Sequence, residues 1–413
     1  MKIKLSDIEM ARTRLQGILH KTSTDFSSGA SQLLGTQVAF KYENLQLTGS
    51  FKVRGAFNKI ALLTEAEKKR GVVASSAGNH AQGVALSAKL QGIKATIVMP
   101  TGASLNKIAA TRSYGAEVIL HGDFYDEAYA HAKEIEKKTG AIFVHPYEDE
   151  AVIAGQGTIG LEVLESIPDL DSIVVAIGGG GLISGVAAAI KAVRPQCRVI
   201  GVQAEAAPGM SMKFHGQVYN PPPGRIQTIA DGIAVKTPSQ VMFDNFISMS
   251  VDEIVTVNDD EIAAAIVYLL ERTKNLVEGA GAAAWAAMMN RRLSLGKKSC
   301  AILCGGNVDL NVIARVVEKG LIRQGRVFEF SVIGDDKPGT LARLTSLLSN
   351  ENANVLEIRH DRIGARLSLR EAKMDFVVET SGPEHRDSLF RQIQQAGFRI
   401  SAEVSSLRDQ PTT

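Results

Sequence analysis

The chain has 413 residues, which is too long for one typical hydrophobic core and suits two or three domains. Its 45% apolar and 22% charged residues are typical of a globular protein, and a formal net charge of only +2 excludes the strong field expected of a nucleic-acid or membrane-surface binder. We expect a cytoplasmic protein, because no apolar run reaches the roughly 18 residues of a membrane span and the N-terminal segment lacks the apolar stretch of a signal peptide.

The first two thirds of the chain alternate short apolar runs with amphipathic stretches. Ser6 and Glu9 have the spacing of a capping box, which predicts the start of an N-terminal helix. Helical spacing follows near 79–92, 104–114, 125–139 (closed by Gly140) and 181–193. The apolar runs between these helices predict strands at 71–75, 95–99, 116–120, 141–144, 172–178 and 197–203. Alternating strands and helices predict open parallel sheets with helices on both faces.

Further along, the segment 215–225 contains three consecutive prolines and predicts a loop. Asn258 and Glu261 have the spacing of a second helix cap. After about residue 325 the order becomes β-α-β-β-α-β within some 80 residues, with the last strand over 398–406 and Pro338 in the first turn of the first helix. This order predicts a ferredoxin-like α+β unit.

The stretch GSFKVRGA places Lys52 between small residues, with Phe51 beside it. A lysine that forms a Schiff base must be held against its cofactor and partly desolvated, and small neighbours allow a close approach. Taken alone, a lysine in such a stretch is more typical of a solvated face than of a cofactor site.

Two glycine-containing turns each lie between a predicted strand and a predicted helix. SSAGNHAQG (75–83) offers backbone N–H groups for an anion such as a carboxylate, although a plain turn capped by Asn79 has the same pattern. AIGGGGLISG (176–185) is typical of a phosphate cradle. No lysine follows its glycines as in the nucleotide triphosphatases, and the sequence after it has no strand and acidic residue that would clearly hold a ribose, as dinucleotide-binding proteins do.

The three cysteines are Cys197, Cys300 and Cys304, an odd and sparse set that excludes a disulfide framework, and none has zinc-site spacing. Cys300 and Cys304 are four apart on a predicted strand and would face the same side. We interpret Cys300 as a buried structural residue. Cys304 stands before a diglycine at the carboxyl edge of a sheet, where ligands bind in open α/β folds.

Together and in this order, GSFKVRGA, SSAGNHAQG, GGGGL and CGGN resemble the fold-type II pyridoxal-phosphate enzymes, and more narrowly the threonine dehydratases of the catabolic type. The resemblance extends over about residues 5 to 405. It implies a catalytic domain over 1–320 with a small subdomain at about 50–148, a linker at 321–326 and a regulatory ACT domain over 327–405.

The resemblance also implies a role for each motif residue. Lys52 would carry pyridoxal 5′-phosphate, Phe51 would pack on its ring, Asn79 would contact its 3′-oxygen, and Cys304 would face its ring nitrogen. A neutral thiol there suits elimination better than transamination. The phosphate would be held by Gly178, Gly179, Gly180, Gly181 and Leu182, and the substrate carboxylate by Ser76, Ala77, Gly78 and His80.

The implied reaction is the dehydration and deamination of L-threonine to 2-oxobutyrate and ammonia, with L-serine giving pyruvate. The ACT unit would bind an amino acid near Asp336, Gly339 and Asn354, across an interface between subunits of a homodimer or homotetramer. A purely structural dimerisation role is the alternative for that unit.

Two alternative functions remain open for the whole chain. A serine racemase of the same fold has a serine where this chain has Ala77, and Ala77 has no proton to exchange, which favours the dehydratase. Some racemases also bind a divalent cation; Glu205 is present here, but Ser211 stands where a second acid is expected, so we predict no metal site. A non-catalytic amino-acid-binding regulator is the alternative of another class, and the complete set of catalytic positions argues against it.

Overall fold

The computed structural model describes residues 3–290, 293–362 and 368–404, and the chain divides into two compact units, 1–312 and 313–413. Within the described residues, no helix is both long and apolar enough to cross a membrane.

The strands are β1 (Thr24–Phe26), β2 (Gln37–Lys41), β3 (Val72–Ser75), β4 (Ala95–Met99), β5 (Glu117–Leu120), β6 (Ile142–Phe143), β7 (Ser172–Ala176), β8 (Arg198–Ala204), β9 (Glu253–Val257), β10 (Lys298–Ile302), β11 (Val327–Asp335), β12 (Asn354–Asp361), β13 (Glu371–Glu379) and β14 (Arg399–Val404). The helices are α1 (Leu5–Leu15), α2 (Ser28–Leu34), α3 (Lys52–Ala61), α4 (Glu65–Arg70), α5 (Asn79–Leu90), α6 (Leu105–Ser113), α7 (Tyr125–Thr139), α8 (Glu150–Ser166), α9 (Gly181–Val193), α10 (Gly209–Phe214), α11 (Gln240–Met242), α12 (Ser248–Ser250), α13 (Asp259–Tyr268), α14 (Gly279–Met289), α15 (Leu310–Arg323), α16 (Thr340–Asn350) and α17 (Pro383–Gln395).

The first unit is built on two sheets. The larger sheet has the order β1-β2-β10-β7-β8-β9, and it is parallel except for β1, which pairs antiparallel with β2. The smaller sheet has the order β5-β4-β3-β6 and is parallel throughout. Strands β3, β7 and β10 are almost entirely buried, as expected for runs of valine, isoleucine and alanine covered by helices on both faces. The predicted open parallel α/β architecture is confirmed.

The smaller sheet has its own apolar core. That core joins α3, α5 and the strands β3 and β4, and it includes Ile60, Val84, Ile97 and Met99. Helix α3 also packs closely on α8, because a Cβ atom on Gly155 would lie only 2.6 Å from the Cα atom of Gly55. This close packing places the first turn of α3, and with it Lys52, between the two sheets.

The second unit is an antiparallel sheet with the order β12-β13-β11-β14 and the helices α16 and α17. One face of the sheet packs on both helices through a core that includes Phe330, Phe376, Leu344 and Leu389. The chain order β11-α16-β12-β13-α17-β14 confirms the predicted ferredoxin-like unit.

Several local predictions are confirmed, because short-range signals determined them. Helix α7 ends at Gly140, whose φ of 71° is left-handed, and Asn258 caps α13 with a reciprocal bond from Glu261. The proline-rich segment 215–225 is irregular. The linker predicted at 321–326 stays a prediction; this range contains the last residues of α15 and the turn that follows it.

Other local predictions are wrong by a few residues. Helix α1 begins at Leu5 and not at the predicted Ser6–Glu9 box, so Asp7 is the acid that reaches back, accepting from the Lys4 backbone N–H at 2.9 Å. Helix α16 begins after Pro338, because Gly339 has a φ of 93° and cannot be helical. Strand β10 ends at Ile302, which leaves Cys304 beyond the strand. Residues 405 and 406 of the predicted last strand lie outside the described residues.

Candidate active site

Lys52 is the first residue of α3, and its side chain points into the protein. Its Nζ atom donates a hydrogen bond to the carbonyl oxygen of Pro146 at 3.1 Å and lies 5.2 Å from the centre of the Phe51 ring. Burial lowers the pKa of Lys52 from 10.5 to about 8, and Cys304 and Glu278 oppose this shift only in part. A lysine held in this way is partly neutral near physiological pH and can therefore act as a nucleophile or base.

The backbone before Lys52 pairs with the segment that carries Cys304. The Phe51 N–H donates to the Cys304 carbonyl oxygen at 3.2 Å, and the Gly306 N–H donates to the Gly49 carbonyl oxygen at 2.8 Å. Two motifs some 250 residues apart in the sequence therefore meet. Neither motif predicted this pairing, because both lie outside the strands.

Arg54 belongs to the same motif as Lys52 and has a clear structural role, which the sequence analysis did not predict. Its guanidinium is fully buried and forms paired hydrogen bonds with two carboxylates, those of Glu43 at 2.8 Å and of Glu162 at 2.6 and 2.9 Å. Lys41, also fully buried, donates to Glu162 at 2.6 Å. The two acids and two bases balance in charge, and their bonds tie α3 to β2 and α8. Arg54 was visible in the sequence as part of GSFKVRGA, two residues after Lys52.

The four glycines of the predicted phosphate cradle form the turn between β7 and α9. Gly180 has a φ of 99°, a conformation that favours glycine, and α9 begins at Gly181. A Cβ atom on Gly179 would lie 2.2 Å from the ring of Tyr147, and one on Gly181 would lie 2.8 Å from the Tyr147 Cβ atom. Tyr147 directly follows Pro146, the partner of Lys52, so one short segment links the amine to the glycine turn. The cradle therefore fits a phosphate group beside Lys52.

The loop that joins β3 to α5 carries the residues predicted to hold a carboxylate. Ser76, Ala77 and Gly78 are partly exposed, and the Gly78 N–H donates to the Ser76 hydroxyl oxygen at 3.1 Å. The ring of His80 is instead buried, with Nε2 donating to the Val144 carbonyl oxygen at 2.8 Å, and burial lowers the pKa of His80 to about 3. The His80 ring is thus neutral, and its Nε2 atom faces the Val144 carbonyl oxygen.

Cys304 is buried, and its thiol donates to the Ala280 carbonyl oxygen at 3.4 Å. Burial, reinforced by the nearby Glu278 carboxyl, raises the pKa of the Cys304 thiol, so the group stays neutral. Burial likewise raises the pKa of Cys300 to about 12, as expected for the structural residue predicted there.

Glu278 and Asn307 complete the site, and sequence reasoning missed both. The side-chain amide of Asn79 donates to Glu278 Oε1 at 2.6 Å and accepts from Asn307 Nδ2 at 2.8 Å. Burial raises the pKa of the Glu278 carboxyl to about 7. Asn307 belongs to the CGGN motif, so its presence was visible, whereas nothing in the sequence around Glu278 indicated a functional acid.

Polar contacts join the two sheets across the entrance to this region. Lys107 forms an ion pair with Asp231 at 2.7 Å, and Ser104 and Asn106 donate to Asp309 at 3.2 and 3.4 Å. A cavity of about 180 Å³ lies beside these contacts, with Gln82 and Asn307 in its lining. These contacts connect α6 to the segments that carry Asp231 and Asp309.

In the second unit, the three predicted regulatory residues do not meet within one chain. Asp336 lies at the end of β11, where it pairs with Arg362 at 2.8 Å, and Gly339 caps the start of α16. Asn354 begins β12 at the other end of α16. There it borders an open cavity of about 430 Å³ that Thr345, Ser349 and Asn352 also line.

Glu205 and Ser211 mark the region where related racemases bind a cation. Glu205 is exposed, and the backbone N–H of Ser211 donates to Gln203 at 2.7 Å. Among the residues described, no group of three histidine, cysteine or acidic side chains is arranged to hold a metal ion.

Comparison with known proteins assigns both parts of the chain to known families. The family model for pyridoxal-phosphate dependent enzymes matches residues 18–305, and the ACT domain model matches residues 328–398. The chain is 48% identical over 398 residues to the L-threonine ammonia-lyase of Thermotoga maritima, covering 96% of this chain and 99% of that one. It is 46% identical over 320 residues to the catabolic L-threonine dehydratase of Escherichia coli K12, covering 76% and 96%.

Among solved structures, maize serine racemase superposes with a TM-score of 0.72 at 34% identity, covering 78% of this chain and 99% of the racemase. The fold is therefore shared with racemases, while the relatives of higher identity are ammonia-lyases and dehydratases. These matches show that the chain belongs to the pyridoxal-phosphate dependent enzymes, in the threonine ammonia-lyase group that carries a C-terminal ACT domain.

Proposed function

We propose that this protein converts L-threonine to 2-oxobutyrate and ammonia, and L-serine to pyruvate as a side activity. The observation that carries the proposal is the partly buried amine of Lys52, whose pKa is lowered to about 8 and which is connected through Pro146 and Tyr147 to a glycine turn suited to phosphate. Relatives at 48% and 46% identity are named L-threonine ammonia-lyase and catabolic L-threonine dehydratase, which supports the proposal.

Pyridoxal 5′-phosphate, when bound, supplies an electron sink for the negative charge that develops at the substrate Cα atom. The residues present fit this group. The N–H groups at the start of α9, from Gly178 to Leu182, would hold its phosphate, and Asn79 and Cys304 would contact its ring. Because the Cys304 thiol is neutral, it does not supply the full charge that an aspartate would provide at a ring nitrogen.

Lys52 has two tasks in this proposal. It holds the cofactor before substrate arrives, and as a free neutral amine it then removes the substrate α-proton. The loss of the α-proton and of the β-hydroxyl together releases one water molecule. The remaining enamine takes up one water molecule and releases ammonia, which balances threonine against 2-oxobutyrate, ammonia and no net water.

The loop between β3 and α5 would hold the substrate carboxylate through backbone N–H groups and the Ser76 hydroxyl. Ala77 in this loop has no exchangeable proton. A racemase needs a second acid to return a proton to the other face of Cα, and this position does not supply one. Elimination is therefore favoured over racemisation.

The direct test is Lys52→Ala, with Lys59→Ala in the same helix as the matched control. We expect Lys52→Ala to lose turnover and the visible absorbance of the Schiff base, and Lys59→Ala to keep both. Borohydride reduction of the wild-type enzyme, followed by peptide mapping, should label Lys52. A label on another lysine would refute the assignment.

We further propose that the ACT unit binds a small amino acid and adjusts the affinity of the catalytic unit for its substrate. Isoleucine, with valine as its antagonist, is the first candidate if the enzyme serves biosynthesis; a catabolic enzyme would respond to an energy signal or another amino acid. The unit supports this through the open backbone at the start of α16 beside Gly339. We expect a homodimer or homotetramer located in the cytoplasm.

A further inference from the structure

A chain of hydrogen bonds determines the orientation of the Asn79 side chain. The Thr48 carbonyl oxygen accepts from Asn307 Nδ2 at 2.7 Å, and the same nitrogen donates to Asn79 Oδ1 at 2.8 Å. Both N–H groups of the Asn307 amide are therefore used by oxygen acceptors. A backbone carbonyl can only accept, so the amide of Asn307 cannot be reversed without losing both bonds.

The orientation of Asn307 in turn determines that of Asn79. Because Asn79 Oδ1 faces a donor, its Nδ2 atom lies on the other side and donates to Glu278 Oε1 at 2.6 Å. Glu278 also accepts from the Asn307 backbone N–H. An asparagine amide has two N–H groups. Among the bonds of the described residues, Asn79 uses one of them, which leaves the second available to a ligand.

Glu278 is buried and closely packed at this position. Its side chain is 4% exposed, and a Cβ atom on Gly305 would lie 2.2 Å from Glu278 Oε1, so the diglycine after Cys304 leaves the space that this carboxyl fills. Its direct partners are the amides of Asn79 and Asn307. The charged or titratable groups around it are Asp231, Lys107, Lys52 and Cys304, and each acts through space.

We propose that Glu278 is a positioning residue, which holds the Asn79 amide so that its second N–H is presented to an anionic oxygen of the cofactor ring. This inference rests on the proposed function, because it assumes that the cofactor is bound beside Lys52. Glu278 touches neither cofactor nor substrate in this role. It acts through Asn79, and Asn307 supports it from the other side.

A double-mutant cycle on cofactor binding tests the proposal. The dissociation constant of pyridoxal 5′-phosphate is measured on the apo-protein of wild type, Glu278→Ala, Asn79→Ala and the double variant. We expect Glu278→Ala to weaken binding about tenfold, the effect of one lost hydrogen bond to a charged group. In the Asn79→Ala background, removal of Glu278 should change the dissociation constant less than twofold.

Asn307→Asp gives a second test that leaves Glu278 in place. An aspartate oxygen in place of Nδ2 would repel Asn79 Oδ1 and favour the reversed amide, so binding should weaken and the visible absorbance of the Schiff base should shift as in Glu278→Ala. Glu205→Gln, a change at an exposed acid in the same unit, is the control and should keep the wild-type constant. Thermal unfolding shows whether each variant is folded.

These experiments test the proposed function and the role of Glu278 separately. If the wild-type apo-protein binds no cofactor, or binds it at a lysine other than Lys52, the proposed function fails. If the cofactor binds at Lys52 but Glu278→Ala weakens binding equally with and without Asn79, Glu278 does not act through Asn79 and the inference is overturned. A variant Asn307→Asp with wild-type affinity and absorbance would overturn it as well.

Discussion

The Nζ atom of Lys52 lies 3.1 Å from the carbonyl oxygen of Pro146, to which it donates a hydrogen bond. Pro146 and Tyr147 follow β6 of the smaller sheet, and Tyr147 packs against Gly179 and Gly181 of the larger one. The reactive amine is therefore held at the junction of the two sheets. A cofactor there would contact elements of both, which explains why the site requires residues from distant parts of the chain.

The depressed pKa of Lys52 predicts a pH dependence that can be measured without cofactor. At pH 7, a lysine with a pKa of about 8 is neutral in about a tenth of the molecules, several hundred times more than an exposed lysine. The rate at which an amine-selective reagent modifies Lys52 in the apo-protein should rise with pH and level off above about 8. Peptide mapping follows the rate, with the exposed Lys94 as internal reference. A Lys52 profile that coincides with that of Lys94 would contradict the burial argument.

Ala77 predicts the stereochemical outcome with serine. We expect pyruvate to form more than about tenfold faster than D-serine, because Ala77 has no proton to return to the other face of Cα. A tenfold difference in rate corresponds to about 1.4 kcal/mol in barrier height. Chiral chromatography of the reaction mixture measures both products. Ala77→Ser, which adds a hydroxyl at this position, should raise the share of D-serine. Wild-type D-serine formation at a rate comparable to pyruvate would assign the chain to the racemases instead.

The buried ion network predicts a large stability effect at Arg54. Arg54→Met leaves Glu43 and Glu162 buried with only Lys41 to balance them, which should cost about 3–5 kcal/mol in the free energy of unfolding. The control is Arg12→Met, which removes an exposed ion pair with Glu165 and should cost at most about 1 kcal/mol. Urea unfolding compares the two. Equal losses of at most about 1 kcal/mol would mean that the buried network stabilises the protein no more than an exposed ion pair does.

The ACT unit predicts a response to amino acids in the full-length enzyme. The half-saturating threonine concentration should change by about 5-fold or more when the effector is present. Asp336→Ala should reduce this response, whereas Asp335→Ala, at the neighbouring exposed acid paired with Lys337, should keep it. Steady-state kinetics with isoleucine, valine and other amino acids provide the measurement, and calorimetry detects binding. If no amino acid binds or changes the kinetics, the ACT unit has only a structural role.

Local signals in the sequence determined the elements and most of the motif positions. The alternation of apolar runs with amphipathic helices predicted the parallel sheets, and Gly140 and the pair Asn258–Glu261 predicted helix ends, because each depends on neighbours within a few residues. The motifs around Lys52, Asn79, Gly180 and Cys304 could be recognised from residue types alone.

The tertiary structure alone decided which groups surround the lysine and in what protonation state. Glu278 lies in an alanine-rich stretch with no catalytic pattern, and it becomes part of the site because α14 begins beside the turn at Gly305. The ring of His80 looked available in the sequence, yet it is buried against Val144. Burial, and the pKa shifts that follow from it, depend on contacts between residues far apart in the chain, and no local pattern records them.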